Sequence, residues 1–132
     1  MAYMLDTNVV SDILRNPAGR AAKRSRTVGE QHIFLSVIVA AELRFGLTRR
    51  PSATFRIRLE ELLEQFRVLA VETPTDRVYA TLRAQLEMSG TPISANDMFI
   101  AAHAITLGHT LVTDNIREFS RIEGLRIENW IR

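Results

Sequence analysis

The sequence predicts an α/β fold with a mainly parallel sheet, and three observations predict it. Short apolar runs alternate with longer stretches at helical spacing along the chain. Those longer stretches carry apolar stripes of the 3.6-residue period. Several also open on a residue suited to a helix start and close on glycine.

The first strand is YML (3–5), and Thr7 to Arg15 is a helix with Val9, Val10, Ile13 and Leu14 on one stripe. Pro17 suits the start of a helix through the basic stretch after it. HIFLS (32–36) is the second strand and Val37 to Leu47 the next helix. Ser52 to Phe66 is amphipathic through Phe55, Leu59, Leu62, Leu63 and Phe66. RVLAV (67–71) is a strand, and Pro74 opens a helix that Gly90 closes. Ser94 opens SANDMFIAAHAITLG, which ends at Gly108. TLVT (110–113) and LRIENW (125–130) complete the strands. In such sheets, functional sites gather beyond the carboxyl ends of the strands.

The chain of 132 residues is the size of one domain, and 1–132 is read as such. No apolar run approaches the roughly 20 residues that span a bilayer. Charge enters at Asp6, against a secretory leader. Cysteine is absent, so there is no disulfide framework. A soluble, cytoplasmic domain with no membrane partner is the expectation. Net charge is only +2, and the pI of 9.7 adds little to that. Placement says more: residues 15–26, RNPAGRAAKRSR, hold five cations and no acid. That stretch is either a solvated helix face or a rim that holds a polyanion.

Four acids stand out. Asp6 ends the first strand, where it also suits the cap of the helix after it. Glu42 lies in SVIVAAELRFGL, with Ile38 and Phe45 on its face at i, i+4, i+7, so the spacing predicts a buried carboxylate. Burial of that kind requires a cation partner, a metal or a proton. Asp97 follows Ser94 by three residues, as in a capping box, but the helix it opens is apolar nearly all round and therefore central. Asp114 ends the strand TLVT as Asp6 ends the first, with a turn or cap role as its plainer reading. Each plain reading stands alone; together, four acids fall at the same kind of place. Carboxylates brought close stay ionised only around a cation. An all-oxygen ligand set favours Mg²⁺ or Mn²⁺ over Zn²⁺. His32, His103 and His109 show no ligand spacing, and His103 in IAAHAI reads as core.

With these positions in place, the chain resembles the PIN-domain ribonucleases, and among them the VapC-type toxins of type II toxin–antitoxin pairs. The matching pieces are MLDTNVVSDIL, LSVIVAAELRFGL and ISANDMFIAAHAITLGHTLVTDNIREFSRIEGLRIENW. The family's first three acids fall on Asp6, Glu42 and Asp97. Its last acid often lies two residues beyond the strand's threonine, which here is Asn115, with Asp114 one residue earlier. The resemblance implies a three-layer α/β/α sandwich around a five-stranded, mainly parallel sheet. It also implies divalent-metal-dependent endonuclease activity on RNA (structured RNA such as tRNA included), a homodimer and a VapB-like antitoxin partner. On that basis Asp6, Glu42, Asp97 and Asp114 are the catalytic set. Asp6 and Asp97, with Glu42 through water, hold the metal, and Glu42 takes the proton of the attacking water. Thr7, Asn8, Ser36, Asn96, Thr113 and Asn115 would fix the carboxylates by hydrogen bonds. Arg15, Arg20, Lys23, Arg24 and Arg26 would contact RNA phosphates, with Arg44 and Arg117 as further candidates nearer the acids. The apolar faces Val9–Leu14 and Phe55–Phe66 would form a groove for the antitoxin's helix.

Two other classes compete. An aspartate-dependent phosphatase would want a second Asp two residues after Asp6, where Asn8 stands, and Lys23 is the only lysine. A non-catalytic module of the same fold, binding RNA or a partner, would be marked by a missing acid, and none of the first three is missing.

Overall fold

The computed structural model describes residues 1–132. Five strands form: β1 Tyr3–Leu5, β2 Ile33–Ser36, β3 Arg67–Leu69, β4 Thr110–Val112 and β5 Ile127–Glu128. The helices are α1 Thr7–Arg15, α2 Arg20–Val28, α3 Val37–Arg49, α4 Ala53–Gln65, α5 Thr75–Met88, α6 Ala95–Leu107 and the single turn α7 Ile116–Phe119. A short 3₁₀ turn at Glu30–His32 leads into β2. The sheet runs β3-β2-β1-β4-β5 with every pair parallel, and helices flank it as an α/β/α sandwich. The order reverses beside β1: the chain first moves outward through β2 to β3, then returns to β4 on the other side. The crevice between the carboxyl ends of β1 and β4 is therefore the switch point at which such sheets place ligands.

The central position of β1 explains its sequence. Tyr3, Met4 and Leu5 are all buried, because a parallel strand covered on both faces reads as continuous apolar residues. They belong to one core of 26 buried residues with Val9, Val10 and Leu14 of α1, Leu59 and Leu62 of α4 and Ile100 of α6. Serines set three helix starts: the hydroxyls of Ser36, Ser52 and Ser94 accept from the N–H groups of Ile38, Phe55 and Asp97, each at 3.2 Å. Gly108 ends α6 at φ 70°, a left-handed conformation that glycine reaches without a side-chain clash. No helix is long and apolar enough to cross a membrane.

Several expectations are corrected. The basic helix α2 starts at Arg20, because Pro17 sits in a turn that Gly19 N–H closes on the Asn16 carbonyl at 2.8 Å. Strands β3 and β5 are shorter than the apolar runs suggest, since each is an edge strand paired on one side only. The face of α3 turned to the core carries Val39, Ala40 and Leu43, and Phe45 is 61% exposed, so Glu42 sits half-buried at the edge of that face. Of the Val9–Leu14 and Phe55–Phe66 stripes, Val9, Val10, Leu14, Leu59, Leu62 and Phe66 are buried in the core, while Ile13, Phe55 and Leu63 stay partly exposed.

Candidate active site

Asp6 follows β1 directly and caps α1. One carboxylate oxygen accepts the Thr7 N–H at 2.8 Å. The other accepts from the Thr113 hydroxyl at 2.8 Å and the Asn8 amide at 3.2 Å. Its rotamer is thus fixed from β1, α1 and the end of β4 together. Asp6 is only 4% exposed, and burial is the main cause that raises its pKa above the usual carboxylate value, with the Glu42 charge adding to it.

Glu42 reaches the same crevice from α3. The Thr7 hydroxyl donates to its Oε1 at 2.6 Å and the Asn96 amide to its Oε2 at 3.4 Å. Thr7 therefore links two acids, Asp6 by its N–H and Glu42 by its hydroxyl. Asp97 enters from the first turn of α6. Its pKa is raised to about 6, first by burial and then by the charges of Asp6, Glu42 and Glu118, while a hydrogen bond with Ser94 opposes the rise. Asp97 thus feels the charges of Asp6 and Glu42, and Asp6 that of Glu42, at this end of the sheet. Burial likewise pushes the His103 imidazole below its usual value, in keeping with a core position on α6.

Asp114 is not brought into that field. Its carboxylate accepts from Asn129 at 3.0 Å and pairs with Arg132 at 2.9 Å, and these contacts hold its pKa below the usual value. Successive residues leaving a strand point to opposite sides. Thr113 points to Asp6, so Asp114 points away, to the chain's last residues. Its backbone N–H still donates to Asn8 Oδ1 at 3.0 Å, which helps hold the Asn8 amide on Asp6.

Glu118 joins instead. It sits on α7, the Asn115 amide donates to its Oε2 at 2.9 Å, and its charge acts on Asp97. Asn115 also donates its N–H to the Thr113 hydroxyl at 3.0 Å. The supporting residues divide accordingly. Thr7, Asn8, Asn96, Thr113 and Asn115 hydrogen-bond within the crevice. Ser36 does not, because its hydroxyl caps α3.

The cations are spread differently from expectation. Arg20, Lys23 and Arg24 line a shallow cleft of about 560 Å³ with Arg132 and Trp130. Arg24 lies 5.9 Å from the Trp130 ring centre and 4.0 Å from Glu128. Arg26 instead donates to the Pro17 carbonyl at 3.2 Å. Arg15 lies outside this cleft, over the Phe55 ring at 5.9 Å. Arg44 pairs with Glu60 on α4, away from the acids. Arg117 lies on α7 beside Glu118 and pairs with no acid.

No side-chain cation pairs with Asp6, Glu42 or Asp97. A set of carboxylates with no Arg or Lys paired among them suits a hard divalent cation. As placed, no three of these acids form a group that could hold a metal ion, contrary to the expected cluster, so an ion there would take most of its ligands from water. Mg²⁺ suits that condition, since it keeps several waters and takes few carboxylates.

The shifts predict a pH dependence. A proton on Asp97 stabilises the folded chain fully below about 3.8, and that stabilisation is lost as pH rises through about 6. Without metal, Asp97→Asn is expected to melt higher than the wild type at pH 7.5 and alike at pH 3. The half-exposed site limits the difference to the order of 1 kcal/mol. Thermal melts of both proteins across that range check it.

Fold and crevice together define a class: an α/β/α domain with an acid cluster at the β1/β4 switch point. Residues 3–125 match the PIN domain model. Ribonuclease VapC2 of Rickettsia felis is 36% identical over 132 residues, covering 98% of this chain and 98% of that protein. The tRNA(fMet)-specific endonuclease VapC of Salmonella typhimurium is 32% identical, again covering 98% of both. The crystal structure of VapBC2 from Rickettsia felis bound to a promoter DNA fragment contains a chain that matches with a TM-score of 0.91 at 33% identity, covering 98% of this chain and 99% of that one. The chain belongs to the PIN-domain family, among the VapC ribonucleases.

Proposed function

We propose that this chain is the endoribonuclease toxin of a bacterial toxin–antitoxin pair, hydrolysing RNA phosphodiesters with a divalent ion held by its acid cluster. The observation that supports this reading is the set of acids at the β1/β4 switch point, where Asp97 feels the charges of Asp6, Glu42 and Glu118 and no side-chain cation pairs with any of them. A bound Mg²⁺ or Mn²⁺ supplies Lewis acidity toward a water and a phosphoryl oxygen.

The chain's own residues do the rest. Asp6 and Asp97 would hold the ion, and Thr7 N–H, Asn8 and Thr113 keep the Asp6 oxygens in place. Glu42, steadied by Thr7 and Asn96, accepts the proton of the attacking water. That water adds to phosphorus as the 3′ oxygen leaves, so no side chain is bonded to the substrate. Glu118 takes the fourth acidic place, and Asp114 positions Asn8 through its backbone. The likeness to a tRNA(fMet)-specific endonuclease makes tRNA the RNA class to test first.

Arg20, Lys23 and Arg24 carry the phosphate backbone leading to the crevice. Replacing all three by Gln is expected to weaken RNA binding and reduce the slope of log affinity against log salt by about 2, at ~0.7 per phosphate contact on a single strand. Mn²⁺ affinity should not move. A filter-binding series over salt reads the slope, and an unchanged slope returns the stretch to plain solvated surface.

The solved relatives include VapBC complexes from Rickettsia felis, Salmonella typhimurium and Haemophilus influenzae. A VapB-like antitoxin is accordingly the partner proposed here. Expression of this chain alone should arrest growth, and co-expression of the product of the adjacent short reading frame should restore it. High-level expression of active chain with no growth defect in its native host would remove the toxin assignment.

A further inference from the structure

A second cleft opens from the crevice. It lies between α1, α3 and the turn from α3 to α4, with a volume of about 450 Å³, and Thr7 and Glu42 line it at the acidic end. Leu43 and Leu47 form part of its apolar lining, and Phe55 stands at the far side. Arg15 and Arg50 border it, and neither is paired with an acid. Ser11 contributes a hydroxyl to the lining.

Gly46 is the unusual residue there. It lies inside α3, where glycine is the least favourable residue after proline. The fold does not require it. Its backbone is not in a left-handed conformation, and a Cβ built on it would meet nothing within 4 Å. The glycine therefore weakens the helix relative to alanine without any packing need within the fold. Here the vacant side-chain position faces the cleft, so its effect is to leave room for something outside the chain.

The lining indicates what that is. The Phe55 ring, with the Arg15 guanidinium 5.9 Å from its centre and free to swing aside to a phosphate, together with Arg50 and the Ser11 hydroxyl, matches a nucleobase with its phosphate. The position beside Glu42 joins the cleft to the place where the phosphodiester is cut. We propose that this cleft is the subsite for a nucleobase next to the scissile phosphate. Phe55 is its stacking face, Arg15 and Arg50 its phosphate and base-edge contacts, and Gly46 the space the ring enters. The inference rests on the RNA-cleaving reading of the acids and adds a determinant of which sequence is cut.

The test uses two variants. Gly46→Leu fills the cleft while improving helix propensity, and Phe55→Leu keeps an apolar side chain but removes the ring. Both should fold, with melting temperatures near or above wild type for Gly46→Leu. The first readout is a titration of AMP, CMP, GMP and UMP into the isotope-labelled protein with Mg²⁺ present. At least one nucleotide should shift the Gly46 and Leu47 amides and the Phe55 ring, and Gly46→Leu should lose these shifts. Shifts confined to Arg20–Arg26, or none in the cleft at millimolar nucleotide, would overturn the subsite whether or not the protein cuts RNA.

The second readout is cleavage of a single-cut oligoribonucleotide, intact or abasic on one side of the cut. For the wild type, one of the two abasic substrates should be cut about tenfold more slowly, the scale of one lost stacking contact. Gly46→Leu and Phe55→Leu should cut the intact substrate at that reduced rate and show no further loss with the abasic one. Equal losses on intact and abasic substrates would contradict the proposal. So would a Gly46→Leu protein that cleaves normally but is no longer restrained by its antitoxin, which would assign the cleft to that protein. A wild type that cuts no RNA yet shows the nucleotide shifts would sink the nuclease reading and leave the nucleotide site standing.

Discussion

Asp6→Asn is expected to lower RNA cleavage at least about 100-fold, because loss of even an outer partner at such centres costs about 10–100-fold. The fold should survive. Asn keeps the shape of Asp and can still accept the Thr7 N–H that bonds Asp6 at 2.8 Å. Two effects on stability then oppose one another. Removing a buried charge with a raised pKa relieves repulsion from Glu42 and Asp97. Against that, the new amide meets the Asn8 donor that now approaches at 3.2 Å. The net change should stay within about 1 kcal/mol. Circular dichroism melts and a cleavage assay on the same preparation check both halves. Cleavage at the wild-type rate with Mg²⁺ present would end the assignment of Asp6.

The second large effect is on stability. Mn²⁺ at 100 times its dissociation constant should stabilise the folded chain by about 2.7 kcal/mol, a rise in melting temperature of roughly 10 °C for a domain of this size. The rise should be larger at pH 7.5 than at pH 5, because the ion must displace the proton that Asp97 holds up to about 6. Asp97→Asn should abolish most of it. A Mn²⁺ response that is the same in wild type and in Asp97→Asn would place the ion elsewhere.

Much of the fold is legible in the sequence because local signals and tertiary demands agree. The apolar YML before Asp6 reads as a buried strand, and it is the central one. Ser52 and Ser94 mark helix starts through the same hydrogen bond that a sequence pattern anticipates. Pro17 misleads because proline suits a turn as well as a first helical turn, and the Asn16–Gly19 turn takes it. The side of α3 turned to the core is also beyond the pattern. Two faces of that helix are apolar, and only packing chooses Val39, Ala40 and Leu43 over Ile38 and Phe45.

At the site, strand ends and helix starts identify Asp6 and Asp97 as neighbours. Glu42 comes from the right helix for a partly wrong reason: it lies at the edge of the buried face. Asp114 looks equivalent to Asp6 because both end strands, but the alternation of side chains gives the inward place to Thr113. Glu118 escapes the sequence reasoning because IREF carries no mark beyond its place after a turn. The signal that could find it is the i, i+3 spacing from Asn115, whose amide donates to the Glu118 carboxylate.

The most direct test of the central claim is anomalous diffraction from crystals of this protein soaked in Mn²⁺. The account predicts a manganese peak in the crevice between Asp6 and Asp97, with Glu42 and Glu118 facing it, and no peak there in Asp6→Asn crystals treated alike. A saturating soak that leaves this crevice without manganese, or puts the ion at Asp114 instead, would contradict it.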